Sequence, residues 1–412
     1  MPRLLLLLPT ATYRTAAFVE AARRLNVELT VASERPSAFQ AANPEGLITL
    51  DLPHPPVAAE QARAFARALP VAGVVGVDDD TAVVAAAIAG ALRLRGNPVS
   101  AAKAARDKHE QRALLSTAGV PVPRFALHRV DEEPRGLAGQ VGYPCVVKPL
   151  RLSASRGVIR ADTPAQFVAA FERLRRILAE PGVAACGEPA RRILVEEFIP
   201  GRETALEGLL VDGELHVLAL FDKPDPLDGP YFEETIYVTP SRLPSDAQRE
   251  LAACAERAVR ALGLSQGPVH AELRHNERGG GAYLIELAAR PIGGRCSAAL
   301  RFAGDSSSLE EIIIRHALGL ELPSLDREGC ASGVMMIPVP RAGVLRRVQG
   351  IEAARAVPLV EAVEITAHPG ETLVPWPEGS RYPGFIFARG DAPAHVEAAL
   401  RAAHGRLEFA FD

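Results

Sequence analysis

Residues 3–9 read RLLLLLP, five leucines in succession between an arginine and a proline. Such a run cannot present one apolar and one polar face. A strand apolar on both faces has to be covered on both sides, as in a parallel strand inside an α/β sheet. The next ninety residues carry the matching pattern. A turn at 10–15 leads to an amphipathic helix at 16–25 and a strand at 27–32. Short strands follow at 47–50 and 73–77, with helices from Ala58 and from Thr81. This alternation predicts a doubly wound, Rossmann-like α/β domain over residues 1–100. The turn after the first strand lacks G-x-G-x-x-G, so a dinucleotide fingerprint is absent. Asp78, Asp79 and Asp80 follow a strand end, where open α/β sheets contact ligands, but capping of the next helix explains them better. Proline at position 9 interrupts the leucine run, which is shorter than the about 7–15 apolar residues of a secretory leader.

At 412 residues the chain exceeds what one hydrophobic core organises, so several domains are expected. The pattern predicts an α/β and α+β multidomain protein. Its parts are the N-terminal domain (1–100), a central domain (101–325, with a lid subdomain at about 120–200) and a small C-terminal α+β domain (326–412). With 48% hydrophobic and 23% charged residues, the composition is that of a globular protein. A net charge of −4 argues against a nucleic-acid partner. No apolar stretch approaches the about 20 residues of a membrane span. Cys145, Cys186, Cys254, Cys296 and Cys330 are scattered, with no C-x-x-C pair. That pattern indicates neither a zinc site nor a disulfide framework and fits a reducing cytoplasm. In the central region one helix is expected over 101–118, an exposed loop over 181–190, a mobile Pro/Asp/Gly loop over 222–231, and a hairpin pairing 269–274 with 282–287.

Three stretches carry chemistry. The first is CVVKPLRLSASRGVIR, residues 145–160. A strand ends at Lys148, and a loop of small and polar residues follows, including Ser153, Ser155, Arg156 and Gly157. Cationic groups and closely approaching backbone N–H groups suit a phosphate, although a hairpin with a solvated tip fits this stretch equally well alone. The second is RRILVEEFIPG, residues 191–201, followed by Glu203. A strand edge at Glu196, Glu197, Phe198 and Ile199 can offer backbone groups to an adenine, and a carboxylate can hold ribose hydroxyls. The alternative is a strand that runs into a Pro-Gly turn with solvated acids. The third pairs VHAELRH with AYLIELAARPIGG. Glu272 and Glu286 lie within apolar strands of one hairpin, so their carboxylates can share a face. Two such oxygen donors suit a hard cation such as Mg²⁺. Arg290 can grip a phosphoryl or carboxylate group, or form a salt bridge with a glutamate; Gly293 and Gly294 permit close backbone approach.

In this order, with Lys108 preceding them, the motifs resemble the ATP-grasp superfamily of carboxylate–amine ligases over about residues 100–300. The E-x-A-x-R form with Gly-Gly shortly after resembles the L-amino-acid (dipeptide) ligase and carnosine-synthase-like branch, as does the C-terminal YPGFIFARGDAPAHVEAALRAA. The resemblance implies phosphate binding by Lys108 and Lys148, and a loop over the phosphates at 153–158. It implies adenine and ribose contacts at Glu196–Ile199 and Glu203, and Mg²⁺ (or Mn²⁺) on Glu272 and Glu286. Many members have Asn two residues after the second acid; Ala288 stands there, so the metal site rests on the two glutamates. ATP would convert a carboxylate to an acyl phosphate that an amine attacks, with Arg290 and Lys148 as catalytic residues. His270, Glu233, Gly293 and Gly294 become candidates for substrate contact, whereas Glu234 reads better as surface charge. The implied partners are a small-molecule carboxylate and amine, in a possible homodimer. An ATP-grasp carboxylase or purine-pathway enzyme, and an inactive nucleotide-binding protein, are the competing readings.

Overall fold

The computed structural model describes residues 1–412 apart from Ala11, Tyr13, Glu277, Arg278 and Asp305. Strands β1 (Arg3–Leu7), β2 (Glu28–Ser33), β3 (Leu47–Thr49) and β4 (Gly73–Gly76) form a parallel sheet in the order β3-β2-β1-β4. The leucine run is therefore an inner strand. Leu4 and Leu6 share a core with Phe18, Ile312 and Ile313. Leu5 and Leu7 face the opposite layer, with Ala58, Ala62, Val84 and Ile88. Each pleat of β1 thus meets a different helical layer, which is why neither side of the run can be polar. Asp78 caps helix Asp79–Leu92 through a reciprocal capping box with Thr81, the role expected for it.

Strands β5 (Phe125–Arg129), β6 (Cys145–Pro149), β7 (Ile159–Ala161) and β8 (Arg192–Glu197) make an antiparallel sheet in the order β5-β8-β6-β7. Helix Pro164–Leu178 covers it through Phe167, Phe171, Leu174 and Ile177. This is the lid. The remaining strands are β9 (Arg202–Val211), β10 (Glu214–Asp222), β11 (Ile236–Thr239), β12 (Gly267–Asn276), β13 (Gly281–Ala288), β14 (Ala331–Met336), β15 (Gly343–Gln349), β16 (Val360–Ile365), β17 (Thr372–Leu373), β18 (Gly384–Gly390) and β19 (Glu408–Phe411). Eight of them join in one sheet, β13-β12-β9-β10-β11-β14-β18-β16. The C-terminal strands β14, β18 and β16 therefore extend the central sheet, while β15, β17 and β19 form a separate small sheet. Among the described residues no helix is long and apolar enough to cross a membrane.

Two local expectations are corrected. The stretch expected as one helix at 101–118 is two, Val99–Arg106 and Lys108–Thr117. Asp107 breaks it with an extended backbone, and its carboxylate accepts from the amides of His109 and Glu110. The break makes Lys108 the first residue of a new helix and redirects its side chain. The stretch expected as a loop at 181–190 instead contains the short helix Pro181–Ala184 and the start of a 3-10 turn, Glu188–Arg191. Because β1 is packed on both faces, Leu5→Ala should cost about 3 kcal/mol, read as a lowered thermal unfolding midpoint. The half-exposed Val57→Ala should change it little.

Candidate active site

The site lies where the lid sheet, the helix from Lys108 and the β9–β12–β13 edge of the large sheet meet. Gln111 ties the helix to the hairpin. Its amide donates to Leu287 O at 2.7 Å and accepts from Leu287 N at 3.1 Å. One turn earlier, Lys108 Nζ contacts Glu286 Oε1 at 2.9 Å and donates to Leu152 O at 3.1 Å. Lys148 projects from β6 beside Glu196 of β8, at 2.5 Å, and Glu196 also pairs with Arg112 at 2.7 Å. All three side chains are buried. Burial pushes the Lys148 ammonium down to about 8, against the pull of Glu196. Burial also opposes ionisation of Glu196, but Arg112 and Lys148 more than offset it and hold its pKa below the usual value. Glu286 is close enough to raise the Lys148 pKa, so both lysines and Glu286 share one electrostatic environment.

Across β12 and β13, Glu272 stands opposite Glu286 in register. The donor chemistry fits a divalent cation: two hard carboxylates on facing positions of a hairpin. Each is now engaged by a different lysine. Glu272 contacts Lys223 at 3.5 Å, and Glu286 contacts Lys108. Lys223 also meets Glu203 at 2.8 Å and Glu234 at 2.5 Å. The carboxylates of Glu203, Glu234 and Glu272 lie within 4.8 Å of one another. Burial opposes ionisation of Glu272, but Lys223 and His270 hold its pKa well below the carboxylate range. The loop residue Lys223 did not stand out in the sequence as a site residue, and Glu234, a candidate for amine contact, read better as surface charge. Glu234 is not surface charge: its side chain is only 14% exposed, and it accepts from Tyr237 Oη at 2.6 Å. The segment expected to be mobile is pinned as well, since Leu227 and Phe232 pack on Phe198 and Arg274 donates to Leu227 O.

His270 pairs across the sheet with Glu207 of β9. Its Nδ1 lies 3.6 Å from Glu207 Oε2 and its Nε2 lies 3.8 Å from Glu272. Glu207, which has no exposed surface, also accepts from Ile292 N at 3.1 Å. Sequence reasoning missed Glu207 because it sits among apolar β9 residues with no motif around it. From the other side Arg14 donates to Pro291 O and Ile292 O, at 3.1 and 2.8 Å. The segment after β13 is thus held from both sides. Gly294 has φ +56, and a Cβ there would lie 2.2 Å from Met336 Sδ, so the backbone passes where a side chain would collide. Arg290 pairs with Asp79 at 3.0 Å. The second aspartate of the capping triplet therefore reaches the site residues, and the salt-bridge partner of Arg290 comes from the N-terminal domain. Glu233 accepts from Val339 N at 3.3 Å, and burial pushes its carboxyl up to about 7.

Three expectations for the nucleotide contacts need correction. Strand β8 is an inner strand, paired with β5 and β6 at Glu196. Glu197 N donates to Arg124 O and Phe198 N to Pro144 O. The amides of Glu197 and Phe198 are thus taken by neighbouring backbone carbonyls, and Ile199 O accepts from Arg274. Glu203 is not a free ribose acceptor, because its two oxygens meet Lys223 and Arg274, each at 2.8 Å. Arg156 does not point to the phosphate end: it pairs with Glu180 at 2.5 Å and donates to Glu378 O at 2.8 Å. Ser153, Ser155 and Gly157 remain in the loop that leaves Leu152, whose carbonyl Lys108 holds.

Residues 141–299 match the profile of an ATP-grasp domain, 19–96 an ATP-grasp N-terminal domain, and 335–412 L-amino acid ligase C-terminal domain 2. The alanine–anticapsin ligase of Bacillus subtilis is 34% identical over 216 residues, covering 49% of this chain and 44% of that protein. A D-alanine–D-alanine ligase of Aromatoleum aromaticum is 30% identical over 199 residues, covering 48% of this chain and 60% of that one. The chain thus spans less than two thirds of these curated relatives. The crystal structure of an L-amino acid ligase from Bacillus licheniformis superposes with a TM-score of 0.84 at 26% identity, covering 100% of this chain and 99% of that one. With all three segments matched in order and a likeness that runs its whole length, the comparisons support an ATP-grasp, L-amino-acid-ligase-like protein.

Proposed function

We propose that the chain is an ADP-forming ligase that joins a carboxylate, an amino acid by the branch it resembles, to an amine. The observation that carries this reading is the convergence of buried Lys108 and Lys148 with Glu272 and Glu286, from four separate segments, in one cluster of charges. A buried lysine beside a carboxylate pair suits the end of a nucleotide that carries several negative charges. The full-length likeness to an L-amino acid ligase supports an amide-forming reaction.

The reaction would run in two steps. A carboxylate oxygen attacks the γ-phosphorus of ATP, the bond to the β-phosphate oxygen breaks, and ADP leaves with that electron pair. The amine nitrogen then attacks the acyl carbon, inorganic phosphate departs, and the amine loses a proton. Lys108 and Lys148 neutralise the phosphates, and Arg290, reached by exchange from Asp79, stabilises charge at the transferring group. Glu272 and Glu286 would hold Mg²⁺, which would supply positive charge toward the phosphates. Glu233 is suited to accept the proton of the amine. The same reading carries the family expectation of a cytoplasmic homodimer, which light scattering in solution would test.

Glu286→Gln should leave the circular-dichroism spectrum unchanged and lower metal-dependent ADP release by about 10–100-fold; wild-type turnover would refute its role. The two shifted groups predict a narrow pH optimum. Glu233 accepts a proton only above about 7, and Lys148 is charged only below about 8. Turnover should rise as pH climbs through the first value and fall beyond the second. Glu233→Gln should remove the rising limb. Lys148→Arg, which stays charged, should remove the falling one. The governing measurement is ADP release from pairs of amino acids, with mass analysis of the product.

A further inference from the structure

We propose that Trp376, Pro377 and Glu378 are positioning residues for the phosphate-covering loop, which they clasp to the C-terminal region. The proposal rests on reading 153–157 as that loop. Four contacts join segments more than 200 residues apart in the chain. Trp376 Nε1 donates to Ala154 O at 2.7 Å, and Gly157 N donates to Pro377 O at 2.9 Å. Arg156 Nε donates to Glu378 O at 2.8 Å. Arg173, on the lid helix, grips the Glu378 carboxylate in bidentate fashion at 2.6 and 2.8 Å. These contacts explain why Arg156 turns away from the phosphate end.

The loop needs such a clasp. Ala154, Ser155 and Gly157 have φ of +54, +52 and +74. A left-handed conformation is costly for the two residues with a Cβ, so the surroundings must impose it. Its base is held by Lys108 on Leu152 O, and its tip by the clasp. The clasp itself is rigid on its inner side: Trp376 is buried with Val339, Leu345 and Leu373, and its ring lies 4.8 Å from that of Tyr382. On its outer side it is yielding. The Arg173–Glu378 pair is about one-third exposed on each partner, and exposed ion pairs are individually weak. A loop that must open for nucleotide exchange and close for chemistry requires that combination. Closure would exclude water from an acyl phosphate, so the clasp would also decide how much of that intermediate is lost to hydrolysis.

Trp376 is the one tryptophan of the chain, so its fluorescence reports the clasp directly. In the full-length protein, Glu378→Gln should raise acrylamide quenching of Trp376 about threefold, the order expected from losing one partly exposed ion pair. The same change should weaken binding of a non-hydrolysable ATP analogue about threefold, raise KM for ATP, and increase ADP formed per amide while KM for the carboxylate stays constant. Trp376→Phe keeps the buried ring and removes the donor, and should change the two ATP readouts the same way. Arg173→Glu should reproduce the Glu378→Gln phenotype, and combining it with Glu378→Arg should reverse it. Unchanged quenching and analogue affinity in Glu378→Gln would overturn the proposal, as would KM values for ATP and carboxylate that move together. Altered quenching and analogue affinity in a protein that makes no amide would uphold the clasp and sink the ligase reading instead.

Discussion

The site depends on charge balance among buried side chains. Lys148, Glu196 and Arg112 are all buried and touch one another. Deleting one member of such a group strands the others, which typically costs about 3–5 kcal/mol. The same logic governs Lys223, which meets Glu203, Glu234 and Glu272 at once. Each cation is held in place by acids before any phosphate is present. In the proposed reading, a nucleotide would meet charges that the fold already holds in position.

These charges come from different architectural layers, and each is placed by an ordinary structural device. A helix break at Asp107 aims Lys108. Strand pairing sets Glu272 against Glu286 and His270 against Glu207. The N-terminal domain contributes through Asp79 on Arg290 and Arg14 on Ile292 O, so it is a wall of the site and not only a neighbour. The C-terminal region contributes twice. It lengthens the central sheet through β14, β18 and β16, and it presents the Trp376–Glu378 segment to the lid. Named hydrogen bonds thus join the β5–β8 sheet region to the C-terminal region.

Much of this was legible in the chain. The leucine run required two covering layers, and β1 has them. The hairpin of β12 and β13 followed from alternating apolar residues around a glycine-rich turn, and its period of two put Glu272 and Glu286 on one face. Lys108 and Lys148 were marked by their place in an ordered set of motifs. Other assignments failed because a sequence shows which side chains are charged but not which partner each one finds. Arg156 looked like a phosphate ligand and serves the Glu378 segment; Glu234 looked exposed and is paired with Lys223. Glu196 lay in a run read as a strand edge, yet β8 is paired on both sides.

What the sequence determined by itself is whatever depends on local periodicity: a two-sided parallel strand, amphipathic helices, a hairpin with paired acids, and motif order. Those follow from the repeat of the backbone, which is fixed within a few residues. What only the tertiary structure decided is the pairing of charges and the route of the loops. Lys223 with its three acids, Glu207 beneath Ile292 N, and Trp376 on Ala154 O join residues from roughly ten to more than two hundred positions apart. Electrostatic and hydrogen-bond partners are chosen by distance in space, and no local repeat encodes that distance.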